Sequence, residues 1–382
     1  MRKEVVIRIV TWILRILCGG LFIFSGFVKA IDPWGTIFKV EEYLGAFGIP
    51  MIFPLLRLGV FALCAVEFIV GCFLLLGCFR KSCPIFAALI MVFMLPLTLW
   101  IAMENPVSDC GCFGDAVVLS NWATFWKNVI LSAGILWLIR YNLKGICLIS
   151  PDFQWLAVVA SGIFIVIIEL IGYYYQPLID FRDYKEGSKL FATSEADDYH
   201  GIETFDVETG DDTNEEAENP DGKELVVMIP KISMVSPATT WKLNSLYEWS
   251  QENDVKMIGI VSGSTEEIEE WEDLSMASYP IYLADDSAIK EVVRGNPGVV
   301  YLDNGKIVWK STLNAIDVDD FLGPEVSGDA STFARDNARF LRNCIFIYLI
   351  VMAFLVLISF TPRLAKSIIV GRLANRRGVR HH

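Results

Sequence analysis

Histidine is nearly absent from the chain: there are three histidines in 382 residues, and two of them are the last two residues. A metal site built from several histidines is therefore excluded. Charged residues make up 20% of the sequence and hydrophobic residues 54%, which is too apolar for an ordinary soluble enzyme. The net charge of −13 argues against a nucleic-acid partner, because the phosphate backbone repels an acidic protein.

The hydrophobic residues gather in runs of about 20, which suffice to cross a hydrocarbon core about 30 Å thick as helices. These runs predict six membrane spans, at about 5–30, 52–78, 83–103, 122–139, 153–174 and 344–360. The first run is too long for a signal peptide and has no small-residue cleavage site, so we predict that it stays in the chain as a helix. The lipid bilayer is the first partner that the sequence implies.

Basic residues in the short links predict the orientation in the membrane. With six spans, the N-terminus, the links after the second and fourth spans and the C-terminal tail lie on one side. All four are basic, through Arg2, Lys3, Arg8, Arg80, Lys81, Arg140, Lys144 and the arginines of the tail. We therefore predict a protein of the bacterial inner membrane with both termini in the cytoplasm. The link between the third and fourth spans, and the large block of about 176–342, then lie in the periplasm.

The predicted periplasmic block contains strand and helix patterns that alternate over about 224–322. The strands are ELVVMIP, VKMIGIVS, YPIYLA and the two halves of NPGVVYLDNGKIVWK, which meet at the hairpin signal Asn304-Gly305. This β-α-β-α-β-α-β-β order resembles the thioredoxin fold, and Pro297 stands where that family has a cis-proline facing its active site. The preceding stretch, about 195–221, has many acids and no Lys or Arg, which predicts a solvated linker.

The thioredoxin family carries its redox chemistry in a Cys-x-x-Cys motif at the start of the first long helix. The matching segment here, KISMVSPATTW, has no cysteine, and none occurs between Lys189 and Asn343. Disulfide exchange requires a thiolate. The domain is therefore predicted to be redox-silent and to bind or position a client protein.

The predicted fold class is a membrane all-α helical bundle of about six transmembrane helices plus a soluble α/β thioredoxin-like domain. We divide the chain into a four-helix membrane domain, a fifth transmembrane helix, an acidic outer linker, a periplasmic thioredoxin-like domain, and a sixth transmembrane helix with a basic cytoplasmic tail. The predicted boundaries are 1–145, 146–176, 177–222, 223–325 and 326–382.

The segment SDCGCFGD places Cys110 and Cys112 one residue apart in the link between the third and fourth spans, at the outer surface. On that oxidising side paired cysteines persist as disulfides. A Cys-Gly-Cys ring is so small that its bond is strained and easily reduced, and Gly111 supplies the backbone freedom that it needs. Asp109 and Asp115 oppose thiolate formation. Three interpretations stay open: a redox-active dithiol, a structural disulfide or packed pair, and metal coordination.

Three stretches together resemble the MauE/DoxX group of membrane proteins over about 5–140. They are FIFSGFVKAIDPWG at the end of the first span, LLRLGVFALCAVEFIVGCFLLLG in the second, and DCGCFG between the third and fourth. The resemblance implies a four-helix membrane bundle. For the MauE branch it implies a role in methylamine utilisation, in maturing a disulfide-rich dehydrogenase subunit. For the DoxX branch it implies quinone-linked or thiol-linked membrane redox complexes.

Few ionisable residues lie within the predicted spans. Glu67 lies midway through the second span, where a carboxylate has a high free-energy cost unless it is neutral, paired or facing a polar cavity. It is either a proton acceptor or quinone contact, or a structural inter-helix hydrogen bond. Glu169 is predicted to be satisfied locally. Lys29, Asp32 and Arg57 form either a polar lid near the cysteine loop or an interfacial anchor.

The lead hypothesis is a membrane thiol-redox or protein-maturation factor with Cys110, Cys112 and Glu67 as its catalytic residues. Electrons would pass to a quinone, the one cofactor under consideration, or to a membrane redox partner, and a periplasmic client protein would be held above the cysteines. The alternative is a non-enzymatic membrane scaffold in which both the cysteine pair and the thioredoxin-like domain are structural. A small-solute channel is a third hypothesis, but the spans offer few polar residues to line a path. No metal site is predicted.

Overall fold

A computed structural model describes residues 2–50, 52–107, 110–142, 146–191, 201–217, 221–317 and 336–378. Asp109, Lys144 and part of the predicted acidic linker lie outside the described residues. The chain forms two compact units, one of Met1–Glu169 with Arg339–His382 and the other of Leu170–Ala338.

The helices, in chain order, are α1 (Arg2–Ile31), α2 (Pro33–Ala46), α3 (Phe53–Leu76), α4 (Ser82–Glu104), α5 (Asn121–Tyr141), α6 (Gln154–Tyr174), α7 (Asn214–Ala217), α8 (Pro237–Glu252), α9 (Thr265–Ser275), α10 (Asp286–Val292) and α11 (Asn337–Gly378). The strands are β1 (Lys223–Ile229), β2 (Lys256–Val261), β3 (Ile281–Leu283), β4 (Gly298–Asp303) and β5 (Lys306–Thr312). The first unit contains α1–α5 with most of α6 and α11, and the second contains the strands and α7–α10.

Six helices of the described residues are long and apolar enough to cross a membrane: α1, α3, α4, α5, α6 and the part of α11 that ends at Phe360. This confirms the prediction of a multi-pass membrane protein with six spans. Large apolar side chains point away from the first unit, including Val92, Phe93 and Ile130, each 70% or more exposed. Side chains of this kind contact lipid in a membrane bundle.

Helices α1 and α3 pack with their backbones nearly touching, and glycines allow this approach. A Cβ atom added at Gly71 of α3 would lie 2.5 Å from the backbone nitrogen of Ile23 in α1. One added at Gly26 of α1 would lie 2.5 Å from the backbone nitrogen of Phe68 in α3. A larger residue at either glycine would have to push the two backbones apart.

Helix α2 lies between α1 and α3 and was not predicted, because its 14 residues are too short to span a membrane. The side chain of Asp32 caps its N-terminus by accepting a hydrogen bond from the N–H of Gly35 at 3.0 Å. Pro33 follows at the first helical position, where its missing N–H does no harm. Tyr43, near the C-terminus of α2, is buried.

The second unit is built on one sheet in the strand order β3-β2-β1-β4-β5. Strands β1, β2 and β3 run parallel, whereas β4 is antiparallel to both β1 and β5. Strands β4 and β5 join at the predicted turn, where Asn304 and Gly305 both have positive φ, and the Asn296-Pro297 bond before β4 is cis. This order and these directions are those of the thioredoxin fold, so the predicted fold class is confirmed.

The predicted acidic outer linker of 177–222, in which 195–221 is expected to be solvated, is packed against the sheet in its described parts. Leu190, Phe191 and Ile202 are buried in the apolar core on one face of the sheet. Phe205 forms a β-bridge with Leu283 of the edge strand β3. The few apolar residues of this acidic segment are enough to hold it on the sheet, because each removes apolar surface from water.

Candidate functional site

The link between α4 and α5 carries the two cysteines that the sequence singles out, and α2 covers it. Gly111 has a left-handed backbone conformation, φ 59°, which favours glycine. A Cβ atom there would lie 3.0 Å from Cγ of Lys39 on α2. Tyr43, one turn further along α2, donates its hydroxyl proton to the carbonyl oxygen of Cys110 at 2.5 Å. Residues 110–114, called here the CGC loop, are therefore held in place by α2.

Cys110 and Cys112 are thiols whose sulfur atoms lie 3.0 Å apart. An S–S bond of about 2.05 Å needs only a small further approach. The two residues are only 6% and 7% exposed, so both sulfur atoms are shielded from solvent. Cys110 packs with Tyr43, Ile101 and Val107 in one apolar cluster. Helix α2 contributes to this cover through Tyr43.

A buried ion pair lies beside the CGC loop. The ammonium of Lys29 on α1 contacts both carboxylate oxygens of Glu67 on α3, at 3.0 and 2.9 Å, and both side chains are 4% exposed. Ser25, one turn before Lys29, connects the ion pair to the loop. Its Oγ lies 2.8 Å from Oε2 of Glu67 and 2.8 Å from the carbonyl oxygen of Cys112. The structure thus brings Glu67 together with the cysteine pair.

The Ser25 hydroxyl has one proton and faces two acceptors. When Glu67 is ionised, the hydroxyl donates either to Glu67 or to the carbonyl of Cys112, and the other acceptor goes without that proton. Ser25 is therefore shared between the ion pair and the CGC loop.

The surroundings of the two thiols favour one thiolate, at Cys112. The S–H of Cys110 donates to the sulfur of Cys112, and together with the nearby ammonium groups of Lys127 and Lys29 it lowers the pKa of Cys112 despite burial. The same hydrogen bond, with burial, raises the pKa of Cys110. Lys127 on α5 is held with its Nζ 4.0 Å from the ring centroid of Phe113. Cys112 is the more nucleophilic sulfur of the pair.

A small cavity of about 30 Å³ lies beside Cys112. The polar part of its lining consists of Ser25, Glu67, Lys127 and Asn128, and the remainder is apolar. The volume suffices for one or two water molecules, since a single water needs about 10–15 Å³. Cys112, Ser25 and Glu67 thus border one space large enough for water.

The two sulfur atoms by themselves do not complete a tetrahedral metal site. Among the residues that the structure describes, no group of three or more His, Cys, Asp or Glu could hold a metal ion. The cavity of about 30 Å³ is also too small for a quinone ring. A quinone would have to meet the site from the lipid-facing side of the helices.

Lys29, Asp32 and Arg57, grouped in the sequence by their places near the outer ends of the first two spans, each make a contact of their own. Lys29 pairs with Glu67, Asp32 caps α2, and the guanidinium of Arg57 lies 4.9 Å from the ring centroid of Phe53.

Glu169 on α6 also departs from expectation. Both of its carboxylate oxygens are buried and have no hydrogen-bond partner among the described residues. The prediction that it is satisfied locally is therefore wrong. An unpartnered carboxyl group in a membrane helix is uncharged, because burying the charged form is costly.

Sequence reasoning missed Ser25, Lys127 and Tyr43 as parts of the site, and it considered Lys29 near the cysteine loop without pairing it with Glu67. A signal existed on α1, where a spacing of four residues puts Ser25 and Lys29 on one face. A lysine within one span also calls for an acid in another. No local signal identifies Lys127 or Tyr43, because their contacts depend on how separate helices pack.

The fold and site define a multi-pass helical membrane protein with a buried thiol pair beside an intramembrane ion pair, joined to a thioredoxin-like domain. Residues 7–141 match the family described as methylamine utilisation protein MauE. Over these residues the chain is similar to that family, and the second unit has a thioredoxin-like fold. The predicted resemblance to the MauE group and the predicted thioredoxin-like domain are confirmed.

Comparison with solved structures finds similarity at low sequence identity and low TM-score. A peroxidoxin BcpB from Mycobacterium tuberculosis is 14% identical, covers 36% of this chain and 91% of its own, and gives a TM-score of 0.27. A thiol peroxidase from Chromobacterium violaceum is 13% identical, covers 36% of this chain and 88% of its own, and gives 0.26. A search of curated proteins gives no match.

Proposed function

We propose that the protein is a membrane thiol-disulfide oxidoreductase that matures client proteins, with Cys110 and Cys112 alternating between dithiol and disulfide. The observation that supports this most is the contact between two buried thiols next to the Lys29–Glu67 ion pair. A purely structural cysteine pair gains nothing from such a neighbour, and burying two charges is costly.

The proposed reaction is an exchange between the dithiol and a disulfide of the client. The thiolate of Cys112 attacks one client sulfur, which breaks the client S–S bond, forms a mixed disulfide and releases one client thiolate. Cys110 then attacks the sulfur of Cys112 and releases the second client thiolate. In this proposal Glu67, which lines the cavity beside Cys112, accepts the proton of Cys110 and returns it to a client thiolate. Two thiols are oxidised and one client disulfide is reduced.

The same exchange in reverse delivers a disulfide to a client that enters as a dithiol. The pair is then left as two thiols and needs an oxidant. A membrane quinone is the acceptor that we propose, and it would take two electrons and two protons to become a quinol. We choose a quinone because the DoxX branch is linked to quinone-dependent redox complexes. The methylamine role of the MauE branch would determine only which client is matured.

The thioredoxin-like domain has no cysteine in its sequence from Leu170 to Ala338, so in this proposal it binds the client and leaves the chemistry to the membrane unit. The CGC loop and this domain would share the periplasmic side. A reporter fused after Lys144 should then report cytoplasm, and one inserted near Gly210 should report periplasm. The opposite pattern would remove the oxidising compartment from the proposal.

Single serine variants test the roles of the two sulfurs. Cys110→Ser should accumulate a mixed disulfide with a client, because Cys112 still attacks and nothing resolves the product. Cys112→Ser should accumulate none, and both variants should lose maturation activity at unchanged membrane levels. Cys344→Ser, in the last span, is the matched control and should behave as wild type. Non-reducing gels with mass spectrometry of shifted bands measure the outcome, and equal adducts in both cysteine variants would refute the assigned roles.

The pH dependence of alkylation gives a second readout. The lowered pKa of Cys112 predicts that it reacts with iodoacetamide at half its maximal rate below the pH of about 8.5 that is typical of thiols. Cys110→Ala removes the hydrogen-bond donor and should move this midpoint upward. Lys127→Met should move it upward by less, because the ammonium is a smaller cause than the hydrogen bond.

A scaffold role is the second candidate, and the burial of both sulfur atoms in an apolar cluster favours it. A scaffold predicts that both serine variants lower the level of the protein in membranes, trap no client and leave a bond that resists mild reductant in the wild type. Thiol trapping in isolated membranes, before and after mild reductant, separates the two candidates.

A further inference from the structure

Three large apolar side chains are exposed on the second unit: Trp241 is 62% exposed, Leu274 77% and Met276 81%. The other exposed large apolar side chains among the described residues of this unit lie in α6 or shortly after it, no further along the chain than Phe181. Single exposed apolar residues are common on protein surfaces, whereas a contiguous apolar patch marks an interaction site. Whether the three side chains form such a patch depends on how α8 and α9 pack.

A hydrogen bond between α8 and the end of α9 brings the three residues together. The side-chain Nδ2 of Asn244 donates to the carbonyl oxygen of Ser275 at 2.9 Å. Asn244 follows Trp241 by three residues, which places both on one side of α8. Leu274 and Met276 are the immediate neighbours of Ser275. Trp241, Leu274 and Met276, called here the apolar patch, therefore lie on one surface.

Packing within the domain does not explain the apolar patch, because other residues hold α9 in place. Ile268 and Trp271 of α9 are buried in the core, and Ser275 is buried as well. Met276 has a left-handed backbone, φ 55°, which is uncommon outside glycine, and its N–H donates to the carbonyl of Glu272 at 3.0 Å. A methionine side chain at this place buries little apolar surface in the folded chain, so its presence favours a contact with another molecule.

Acidic residues surround the apolar patch. Helical spacing puts Glu270 on the same side of α9 as Leu274, and it puts Asp273 on the side of Met276. Burial, together with Asp273, Glu269 and Glu208, raises the pKa of Glu272, as expected where negative charges are close together. Helix α9 has six acids and no Lys or Arg: Glu266, Glu267, Glu269, Glu270, Glu272 and Asp273.

The acidic surface continues into the segment before β1. The hydroxyl of Thr265, at the start of α9, donates to the carbonyl of Val207 at 3.4 Å, so that Asp206 and Glu208 lie beside this end of the helix. Lys242, next to the patch on α8, donates its ammonium to a backbone carbonyl at 3.1 Å. A molecule that covers the apolar patch therefore meets a mostly negative surface around it.

We propose that the apolar patch binds a segment of a client polypeptide in which apolar side chains alternate with lysine or arginine. The apolar side chains of the segment cover the patch, and its basic side chains pair with Glu270 and Asp273. A flexible methionine adapts to apolar groups of different shape, and tryptophan is a frequent anchor of interfaces. The proposal rests on the proposed function for the role of this domain in client binding, and it adds the chemistry of the segment that is bound.

Charge disfavours two other occupants. A second copy of the chain, with a net charge of −13, would set acids against acids if it docked through the same patch. An anionic lipid surface would be repelled in the same way. A basic polypeptide segment is the occupant that the charges favour.

The test measures peptide binding to the full-length protein in nanodiscs of phosphatidylcholine, a lipid without net charge, with empty nanodiscs as the blank. Fluorescein-labelled peptides without cysteine are compared by anisotropy: one alternates leucine with lysine, a second has glutamate for lysine, and a third has serine for leucine. The leucine–lysine peptide should bind about tenfold more tightly than either of the others. Raising NaCl from about 0.1 M to about 1 M should weaken it, because the screening length falls from about 10 Å to about 3 Å. Equal binding of the lysine and glutamate peptides would overturn the proposal.

Variants of exposed residues locate the binding surface. Trp241→Ser and Leu274→Ser should each weaken the leucine–lysine peptide by about tenfold, the loss typical of an interface anchor. Glu270→Lys should weaken it too and should strengthen the glutamate peptide. Phe181→Ser is the matched control, since Phe181 is 42% exposed on the same unit, and it should bind as wild type. Size-exclusion profiles check that each variant is folded, and unchanged affinity in both Trp241→Ser and Leu274→Ser would refute the assignment.

Oxidation of Met276 gives a readout that needs no substitution. Hydrogen peroxide converts an exposed methionine to its sulfoxide, and the bound leucine–lysine peptide should slow this reaction at Met276. A Met276 that is already shielded before peptide is added would mean that lipid or a second copy covers the patch, which would overturn the proposal. Peptide binding without disulfide exchange would refute the proposed function alone, and exchange without peptide binding would refute this inference alone.

Discussion

Glu67 and Glu169 are both buried carboxyl groups in membrane helices, and the structure treats them differently. Glu67 contacts the ammonium of Lys29 and the hydroxyl of Ser25, whereas the oxygens of Glu169 have no hydrogen-bond partner within the described ranges. Removing a buried group that has hydrogen-bond partners leaves those partners unpaired, whereas removing a group without partners does not. The two residues therefore make a matched comparison.

Glu67→Leu should destabilise the protein by about 3–5 kcal/mol, because it leaves the ammonium of Lys29 buried without its counter-charge. The double variant Glu67→Leu/Lys29→Met should recover most of the loss. Thermal unfolding of the purified protein in detergent measures both. A double variant as unstable as the single one would mean that the ion pair is not the source of the effect.

Glu67→Gln separates stability from chemistry at the same position. The amide keeps hydrogen bonds to Ser25 and Lys29 but carries no charge and cannot take a proton, so the variant should be less destabilised than Glu67→Leu and should still reach the membrane. We expect it to lose disulfide exchange with a client if Glu67 handles protons. Full activity of Glu67→Gln, measured beside Glu67→Leu, would assign Glu67 to structure alone.

Glu169→Leu should leave the free energy of unfolding unchanged or raise it, since no hydrogen-bond partner within the described ranges is left unpaired and a buried polar group is removed. Glu169→Gln serves as the isosteric control. The same thermal unfolding experiment measures both variants. A loss as large as that of Glu67→Leu would reveal a partner for this carboxyl group.

Site residues could be predicted from the sequence only where a local motif, or the cost of a charged side chain in a span, marks them. The motif around Cys110 and Cys112 and the cost of a carboxylate in a span single out three of the site residues. The partners of those residues come from α1, α2 and α5, and no spacing within one helix reports contacts between helices. Ser25 and Lys29 were detectable as a pair on one helix face, but their target on α3 was not.

At the scale of elements, two glycines of α3 allow the effect of helix packing on stability to be separated from the effect of helix propensity. Gly71 has no room for a side chain, whereas a Cβ at Gly59 of the same helix meets nothing within 4 Å. Gly71→Ala should lower the melting temperature, because the contact atom is backbone and cannot rotate away. Gly59→Ala should leave it unchanged or raise it, since alanine in a helix is better than glycine by about 1 kcal/mol. Equal effects at both positions would contradict the packing described for α1 and α3.

The six spans could be predicted from the sequence and α2 could not, for one physical reason. A span is a long apolar run, which composition alone shows. Helix α2 is short and mixed, with Glu41 and Glu42 beside Ile37, so a search for spans passes over it. Its start was marked by Asp32 and Pro33, a cap and a first-turn proline, but these signals gain weight only when a helix is sought there.

At the scale of the whole molecule, the boundary of the thioredoxin-like domain is open to test. A fragment of 222–322 carries all five strands but lacks Leu190, Phe191 and Ile202, which belong to the core of the sheet. Each fully buried side chain of this kind contributes about 1.5–3 kcal/mol. A fragment of 177–322 should therefore be clearly more stable in urea, and neither should reduce insulin because both lack cysteine. Equal urea midpoints would show that the segment before β1 adds nothing.

The strand order of that domain was predictable because each strand is a short apolar run bounded by turn residues, and the Asn304-Gly305 hairpin fixes the last pair. The attachment of the acidic segment was not predictable. The composition of this segment is mostly acidic, but three or four apolar side chains determine that it packs on the sheet.

The glycine contact between α1 and α3 has a mechanical consequence. Two helices whose backbones touch cannot slide or tilt against each other without a clash, so they act as a rigid frame. Ser25, Lys29 and Glu67 are mounted on that frame, and their geometry stays constant. Any motion that uncovers the buried sulfur atoms then belongs to the elements packed on them, which are α2, the CGC loop, α4 and α5, while α1 and α3 stay in place. Access to the sulfur atoms would be controlled on one side of the bundle only.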